Sequence, residues 1–115
     1  MKGIYFINDR ISLNGLSKAE SFKLQEESIL PYIQQNKIEV IKLNPYQIYD
    51  YYTIPHALLH DLKKHRNYLD CFIQYSPLVM EDFINSYPAR WFILKSFFNE
   101  IISIEEKDIP IKYIV

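Results

Sequence analysis

The chain has 115 residues, of which 49% are apolar and 23% are charged, so it suits one folded domain with one core rather than a disordered segment or two domains. The formal net charge is −1, and the basic excess that a domain needs to bind duplex DNA through its own surface is missing. Only 2 residues are glycine, which excludes the glycine-rich loops that cradle phosphates, and no apolar run approaches the roughly 20 residues that span a membrane.

The first segments predict a strand followed by a long helix. Residues 3–8 form an apolar run rich in β-forming side chains, which predicts a buried strand. Ser17 and Glu20 have the spacing of a capping box, and an amphipathic helix is predicted over residues 18–36. Pro31 lies inside this helix, where it removes a backbone donor, so we expect a kink or a break there.

The middle of the chain predicts a second strand and a second helix. The strand is expected over residues 38–43, and the tyrosine-rich segment NPYQIYDYYT that follows predicts a loop. Thr53 is expected to cap the second helix, because Pro55 then stands near its first turn, a position that proline tolerates. The helix should end near Asn67.

The last third predicts a strand, an interrupted helix and a final strand. The third strand is expected over residues 70–75, and a serine–proline pair directly after it opens a helix. Pro88 interrupts that helix, which resumes to about Ser103, and the fourth strand is expected over residues 109–115. The core face of the resumed helix is assigned to Trp91, Leu94, Phe98, Ile101 and Ile102.

The alternation of strands and helices predicts an α/β fold: three layers, with a mostly parallel four-stranded sheet and helices on both faces. In such sheets the functional crevice lies at the carboxyl ends of the strands. The single cysteine, Cys71, lies in the apolar run of the third strand and is expected to be buried. One cysteine excludes an internal disulfide and fits a reducing cytoplasm, where we expect the protein to be.

The end of the first strand carries Arg10-Ile11-Ser12, and Ser21-Phe22-Lys23-Leu24-Gln25 follows in the first helix. This pattern resembles the start of serine site-specific recombinases (resolvases and invertases), whose catalytic domains open with Y-x-R-x-S and continue into a helix that begins S-L-x-x-Q. Weaker matches follow in order along nearly the whole chain: IQQNKIEVIKL, Ile54-Pro55 with Leu58-Leu59, and Asp70 with CFIQY.

The resemblance implies a resolvase catalytic-domain-like fold and a catalytic set of Ser12, Arg10 and Gln25. In that family the serine attacks a DNA phosphate and forms a phosphoserine link, and arginines stabilise the charge of the phosphoryl transition state. The chain departs from the pattern at these arginines. Ile54 stands before the helix proline, while Pro77 and Met80 stand after the third strand. Ser76 replaces an acidic residue and Asn8 replaces the tyrosine, so the site is expected to be vestigial.

The retained scaffold and the missing arginines together predict a degenerate recombinase-like domain that is not an enzyme. It would act as a protein-interaction or regulatory module linked to DNA recombination, binding a protein partner or itself, with weak DNA binding alone and no cofactor, membrane or small-molecule substrate. The alternatives are an active recombinase domain that links to DNA through Ser12, and a remnant of mobile DNA without a present function. The whole chain is interpreted as one N-terminal catalytic-type domain, residues 1–115, without the family's long dimerisation helix and DNA-binding domain.

Two further groups of side chains have a composition that suggests a function. His56 and His60 are four residues apart, a spacing that suits a shared metal, but no glutamate follows the first histidine, so we expect surface histidines and no metal. The loop tyrosines are aromatic side chains of the kind that stack on nucleic-acid bases. Proteins that bind single-stranded nucleic acid interleave such aromatics with cations, and this loop has Asp50 instead. A protein-facing loop is therefore favoured over a nucleic-acid interface.

Overall fold

The computed structural model describes residues 1–66 and 68–107 and shows a four-stranded sheet with helices on both faces. The elements are β1 (Lys2–Tyr5), α1 (Lys18–Gln35), β2 (Glu39–Val40), α2 (Pro55–His65), β3 (Leu69–Gln74), a 3₁₀ helix (Pro77–Met80), α3 (Glu81–Ser86), α4 (Pro88–Lys95), β4 (Phe98–Ser103) and α5 (Ile104–Lys107). The strand order is β2-β1-β3-β4, and every pairing between the strands is parallel. The predicted α/β class is confirmed.

The alternation of side chains along β1 explains the three layers. Ile4 and Phe6 belong to the core between the sheet and α2, α3 and α4, whereas Tyr5 and Ile7 belong to the core on the side of α1 and α5. All four are buried, because both faces of a parallel sheet are covered by helices. At the centre, the register places Gly3 beside Cys71, where a Cβ would lie only 2.7 Å from the Cys71 sulfur, so the strands need glycine at this point.

The backbone pairing of the first strand continues past Tyr5, its last regular residue. Beyond Tyr5, the N–H of Phe6 donates to the Ile73 carbonyl at 2.9 Å, and the N–H of Ile7 donates to the Tyr52 carbonyl at 3.0 Å. The paired segment therefore nearly covers the predicted strand over residues 3–8, although the regular strand ends at Tyr5. Its outer neighbour at this end is the short segment around Tyr52, because β2 comprises only two residues, fewer than predicted.

Helix α1 confirms the predicted capping box. The Ser17 hydroxyl accepts from the N–H of Glu20, and the Glu20 carboxylate accepts from the N–H of Ser17, both at 3.1 Å. The helix runs unbroken through Pro31 to Gln35, so the predicted break is absent. One missing backbone hydrogen bond is outweighed here by the packing of the helix on the sheet, where Ile29 is fully buried.

Helix α2 begins differently from the prediction. The residue before its first turn is Ile54, with no capping side chain, and Pro55 occupies the first helical position. The predicted Thr53 cap was wrong; the Thr53 carbonyl instead accepts from Arg10 at 3.0 Å. By contrast, the predicted serine–proline start after β3 is confirmed, since the Ser76 hydroxyl accepts from the N–H of Leu78.

The fourth strand corrects the sequence prediction. Residues 98–103 were expected to continue the third helix, but α4 ends at Lys95 and Phe98–Ser103 pairs with β3. Phe98, Ile101 and Ile102 fit one face of a helix as well as a strand, and only the exposed edge of β3 decides between them. The strand predicted over residues 109–115 lies outside the described residues. Within the described ones, no helix combines the length and the apolar character needed to cross a bilayer.

Candidate functional site

A cavity of about 280 Å³ opens where β1 and β3 end, the edge at which the fold class predicts a site. Its wall combines side chains from the loop after β1, from the start of α2 and from the segment after β3. The lining residues are Asn8, Arg10, Ile11, Pro55, His56, Val79, Asp82, Phe83, Ser86 and Tyr87. We call this space the strand-end cavity.

Gln25 of α1 supports the start of the loop that follows β1. Its side chain is fully buried, and the amide nitrogen donates to the Asn8 carbonyl at 2.9 Å while the amide oxygen accepts from the Asn8 N–H at 2.9 Å. The same nitrogen also donates to the Ser21 carbonyl at 3.1 Å. The Gln25 amide therefore satisfies both backbone groups of Asn8, just where β1 has run out of neighbouring strand.

Asn8 extends this network to both sides of the cavity. Its amide nitrogen donates to the Val79 carbonyl at 2.9 Å, and its amide oxygen accepts from the N–H of Arg10 at 2.9 Å. A few residues on, the buried hydroxyl of Ser21 accepts from the N–H of Leu13 at 2.8 Å. Hydrogen bonds from α1 and the 3₁₀ helix thus fix the loop that carries Arg10 and Ser12.

Arg10 lies in the wall of the strand-end cavity, but its guanidinium is engaged with the protein. One terminal nitrogen donates to the Thr53 carbonyl at 3.0 Å, and Nε lies 4.0 Å from the Asp9 carboxylate. Both charged side chains are about half exposed, 56% and 48%, so this ion pair contributes little to stability. Arg10 remains the one predicted catalytic residue that faces the cavity.

Ser12 is exposed and does not line the strand-end cavity. Among the described residues its hydroxyl has no hydrogen-bond partner, so no base is placed to take its proton. The other two arginines do not complete a cationic set at Ser12. Arg66 ends α2 in a left-handed conformation, some 16 Å along the helix from the cavity end, and Arg90 bonds to His56.

The one cysteine, Cys71, is held in its protonated form. Cys71 is fully buried in β3, and burial, followed by the nearby carboxylates of Glu100 and Asp70, raises the pKa of its thiol to about 11. The thiol is therefore protonated at neutral pH, and only the thiolate is a strong nucleophile. The described residues contain no group of three or more metal-ligating side chains, and His56 of the predicted histidine pair bonds to Arg90 through Nδ1.

Sequence reasoning identified Arg10 and the edge of the sheet but missed most of the cavity wall. Asp82, Ser86 and Tyr87 belong to no motif, and His56 was noted only as half of a possible metal-binding pair. The sequence carried one signal for this wall, the helix-opening prolines Pro55 and Pro77. A proline in the first turn marks the start of a helix, and the starts of these helices point at this edge of the sheet.

Comparisons with protein-family models, with curated proteins and with solved structures found no match to this chain. The class of protein is thus defined by the fold alone: an α/β domain with a parallel sheet of order β2-β1-β3-β4 and a cavity at the carboxyl ends of its strands.

Proposed function

We propose that this chain is a degenerate serine-recombinase-like domain that works by binding a protein rather than by catalysis, as a regulatory module linked to DNA recombination. In this proposal Ser12, Arg10 and Gln25 are the remains of a catalytic set. Gln25 now serves the fold, Arg10 bonds to a neighbouring carbonyl, and Ser12 has no activating base among the described residues. The proposal also places the protein in the cytoplasm, where the one free thiol stays reduced.

The observation that carries the proposal is the loop between β2 and α2. Three large side chains at its tip are strongly exposed: Tyr46 at 90%, Ile48 at 84% and Tyr49 at 60%. Tyrosine and other large apolar groups are typical of the centres of protein interfaces, because the ring is buried on binding while the hydroxyl keeps a partner. Three such side chains within four residues of one loop expose apolar surface that a partner would bury.

The loop is held in one shape before any partner arrives. The Asn44 side chain accepts from the N–H of Tyr46 at 2.9 Å, and the Asn44 carbonyl accepts from the N–H of Gln47 at 3.0 Å. The Gln47 amide donates to the Tyr49 carbonyl at 2.7 Å, and Lys42 lies 3.5 Å from Asp50 across the base of the loop. A prefolded loop loses less conformational entropy on binding, and this favours a role for the loop as a protein interface.

The test is site-specific photo-crosslinking in the cells from which the chain comes. A photo-reactive amino acid replaces Ile48 in one variant and Phe92 in a matched control, since Phe92 is also strongly exposed, at 71%, but lies on α4. We expect one protein species, either a partner or a second copy, to be linked at position 48 and not at position 92. Tyr46→Ala should then weaken the isolated complex by about 1–2 kcal/mol, roughly 5- to 30-fold in affinity.

Two outcomes would overturn the proposal. Equal or absent crosslinking at the two positions would show that the loop is no interface. Recovery of DNA joined to the protein through phosphoserine, lost in Ser12→Ala, would establish the active-recombinase alternative instead. The two experiments are independent, because the loop variants leave Ser12 and the strand-end cavity intact.

A further inference from the structure

A second cavity, of about 230 Å³, adjoins the strand-end cavity and shares His56 with it. It is lined by His56, Leu59, His60, Lys63 and Arg90. Every polar side chain in this wall is basic or an imidazole, in a chain whose net charge is −1. We call it the basic groove.

The groove is built by two helices. His56, His60 and Lys63 stand at positions i, i+4 and i+7 of α2, which places them along one face of the helix. Arg90 approaches from the first turns of α4, which packs beside α2. The cluster therefore depends on helix packing, and the helices bring together side chains that are 34 positions apart in the sequence.

Arg90 is held in place by neighbouring rings. Its Nη1 lies 3.1 Å from Nδ1 of His56, and its guanidinium carbon lies 5.2 Å from the centre of the Tyr87 ring. The His56 ring is itself fixed edge-on against Phe83 and Tyr87, at centroid distances of 5.1 and 4.6 Å. Arginine only donates, so Nδ1 of His56 accepts and the ring proton belongs on Nε2. The bond uses one of the five guanidinium N–H donors, and the rest are left for a ligand.

No described carboxylate neutralises the groove. The ion pairs among the described side chains involve Arg10, Lys23 and Lys42, and none involves Lys63 or Arg90. The one acid of α2, Asp61, is buried and accepts the hydroxyl of Tyr52 at 2.6 Å. Asp82 of α3 lines the strand-end cavity rather than the basic groove. No ion pair among the described residues therefore neutralises Lys63 or Arg90.

We propose that the basic groove binds a phosphate group. The planar guanidinium of Arg90 presents parallel donors that match two phosphate oxygens, while Lys63 supplies a mobile second charge and the imidazoles supply further donors. The volume is below the roughly 300 Å³ at which pockets begin to enclose a drug-sized ligand, so the groove fits a compact anionic group. That phosphate can belong to a nucleic-acid backbone or to a free phosphorylated small molecule, and the groove chemistry is the same for both.

The test uses nuclear magnetic resonance of the isotope-labelled full chain, titrated with inorganic phosphate, a nucleoside monophosphate and a 12-nucleotide single strand. We expect saturable shifts of the Arg90 guanidinium and His60 ring signals with inorganic phosphate. Arg90→Gln and Lys63→Gln should each weaken binding at least about tenfold, because each removes a charge-assisted hydrogen bond. Arg90→Lys keeps the charge but loses the fork, and should still weaken binding.

Lys64→Gln is the matched control, since Lys64 is an exposed lysine on the same helix that does not line the groove. It removes the same charge and should leave the affinity within about twofold. Tighter binding of the single strand, with a steep loss of affinity at higher salt, would identify a backbone phosphate as the ligand. Tighter binding of the monophosphate would identify a free phosphorylated molecule. Shifts that do not saturate, or an equal loss in Lys64→Gln, would overturn the proposal.

The phosphate proposal does not rest on the protein-binding loop. The groove lies on α2 and α4, whereas the loop tip comprises Tyr46, Ile48 and Tyr49. Failure of the crosslinking experiment therefore leaves the groove untouched, and failure of the titration leaves the loop untouched.

Discussion

The side chain of Gln25 pairs with the backbone of Asn8 as a neighbouring strand would. The Asn8 N–H donates to the Gln25 amide oxygen and the Asn8 carbonyl accepts from its amide nitrogen, both at 2.9 Å. Just before Asn8, the backbone partners are other extended segments: the N–H of Phe6 donates to the Ile73 carbonyl and that of Ile7 donates to the Tyr52 carbonyl. A buried glutamine in α1 thus takes over where the backbone partner stops, which accounts for Gln25 without any catalytic role.

This relationship predicts that Gln25→Leu destabilises the protein by about 2–4 kcal/mol, because two backbone groups of Asn8 lose their partner inside the protein. Urea unfolding of the purified variant measures the change in the free energy of unfolding. Gln35→Leu is the control, since Gln35 is exposed at the end of the same helix and should change stability by no more than about 0.5 kcal/mol. Equal losses in the two variants would refute the structural role of Gln25.

The two serines of the recombinase-like pattern should behave in opposite ways. Ser21→Ala removes the buried acceptor of the Leu13 N–H and should cost about 1–2 kcal/mol of unfolding free energy. Ser12→Ala alters an exposed hydroxyl and should change stability by less than about 0.5 kcal/mol. Thermal unfolding of both variants under identical conditions checks this difference. A costly Ser12→Ala would mean that its hydroxyl has a partner which the structure does not show.

The buried pair of Tyr52 and Asp61 ties the segment before α2 to the helix itself. The Tyr52 hydroxyl donates to the Asp61 carboxylate at 2.6 Å, and burial followed by this bond raises the pKa of Tyr52 well above its ordinary value. Tyr52→Phe leaves a buried carboxylate without its donor and should destabilise the protein by about 1–3 kcal/mol. Tyr46→Phe, at an exposed ring, provides the comparison and should be neutral. A neutral Tyr52→Phe would show that water replaces the lost hydroxyl.

Alkaline pH should destabilise the fold through buried acidic groups whose pKa is raised. Burial raises the pKa of Tyr5 to about 12 and that of Cys71 to about 11, from ordinary values of 10.0 and 9.0. The folded state therefore holds these protons more tightly than the unfolded state, and the stabilisation is complete below pH 9 and falls as the pH rises through 9 to 12. Urea midpoints measured from pH 7 to 11 should be flat at first and then decline.

Cys71→Ala separates the thiol from the tyrosines in that experiment. The variant should lose stability at neutral pH through its smaller side chain, but its decline should begin about one pH unit later, near the ordinary tyrosine value. An unchanged onset in Cys71→Ala would assign the whole decline to the tyrosines whose pKa is raised, Tyr5, Tyr51 and Tyr52.

The features that the sequence predicted correctly are local or strongly patterned. The capping box of Ser17 and Glu20 acts within one turn, so three residues are enough to recognise it. The apolar runs of β1 and β3 are long enough to require burial on both faces, and their alternation with helices leads to a parallel sheet. These signals determined the fold class.

Where long-range partners compete with the local sequence pattern, only the tertiary structure decided which secondary structure and which contacts formed. Phe98, Ile101 and Ile102 suit a helix face and a strand alike, and pairing with the open edge of β3 made them a strand. The acceptor for Asn8 is a side chain 17 residues away, and Arg90 meets His56 only because α4 packs on α2. Sequence periodicity records which side of an element is buried, but it does not record which element lies against it, and that juxtaposition creates the strand-end cavity and the basic groove.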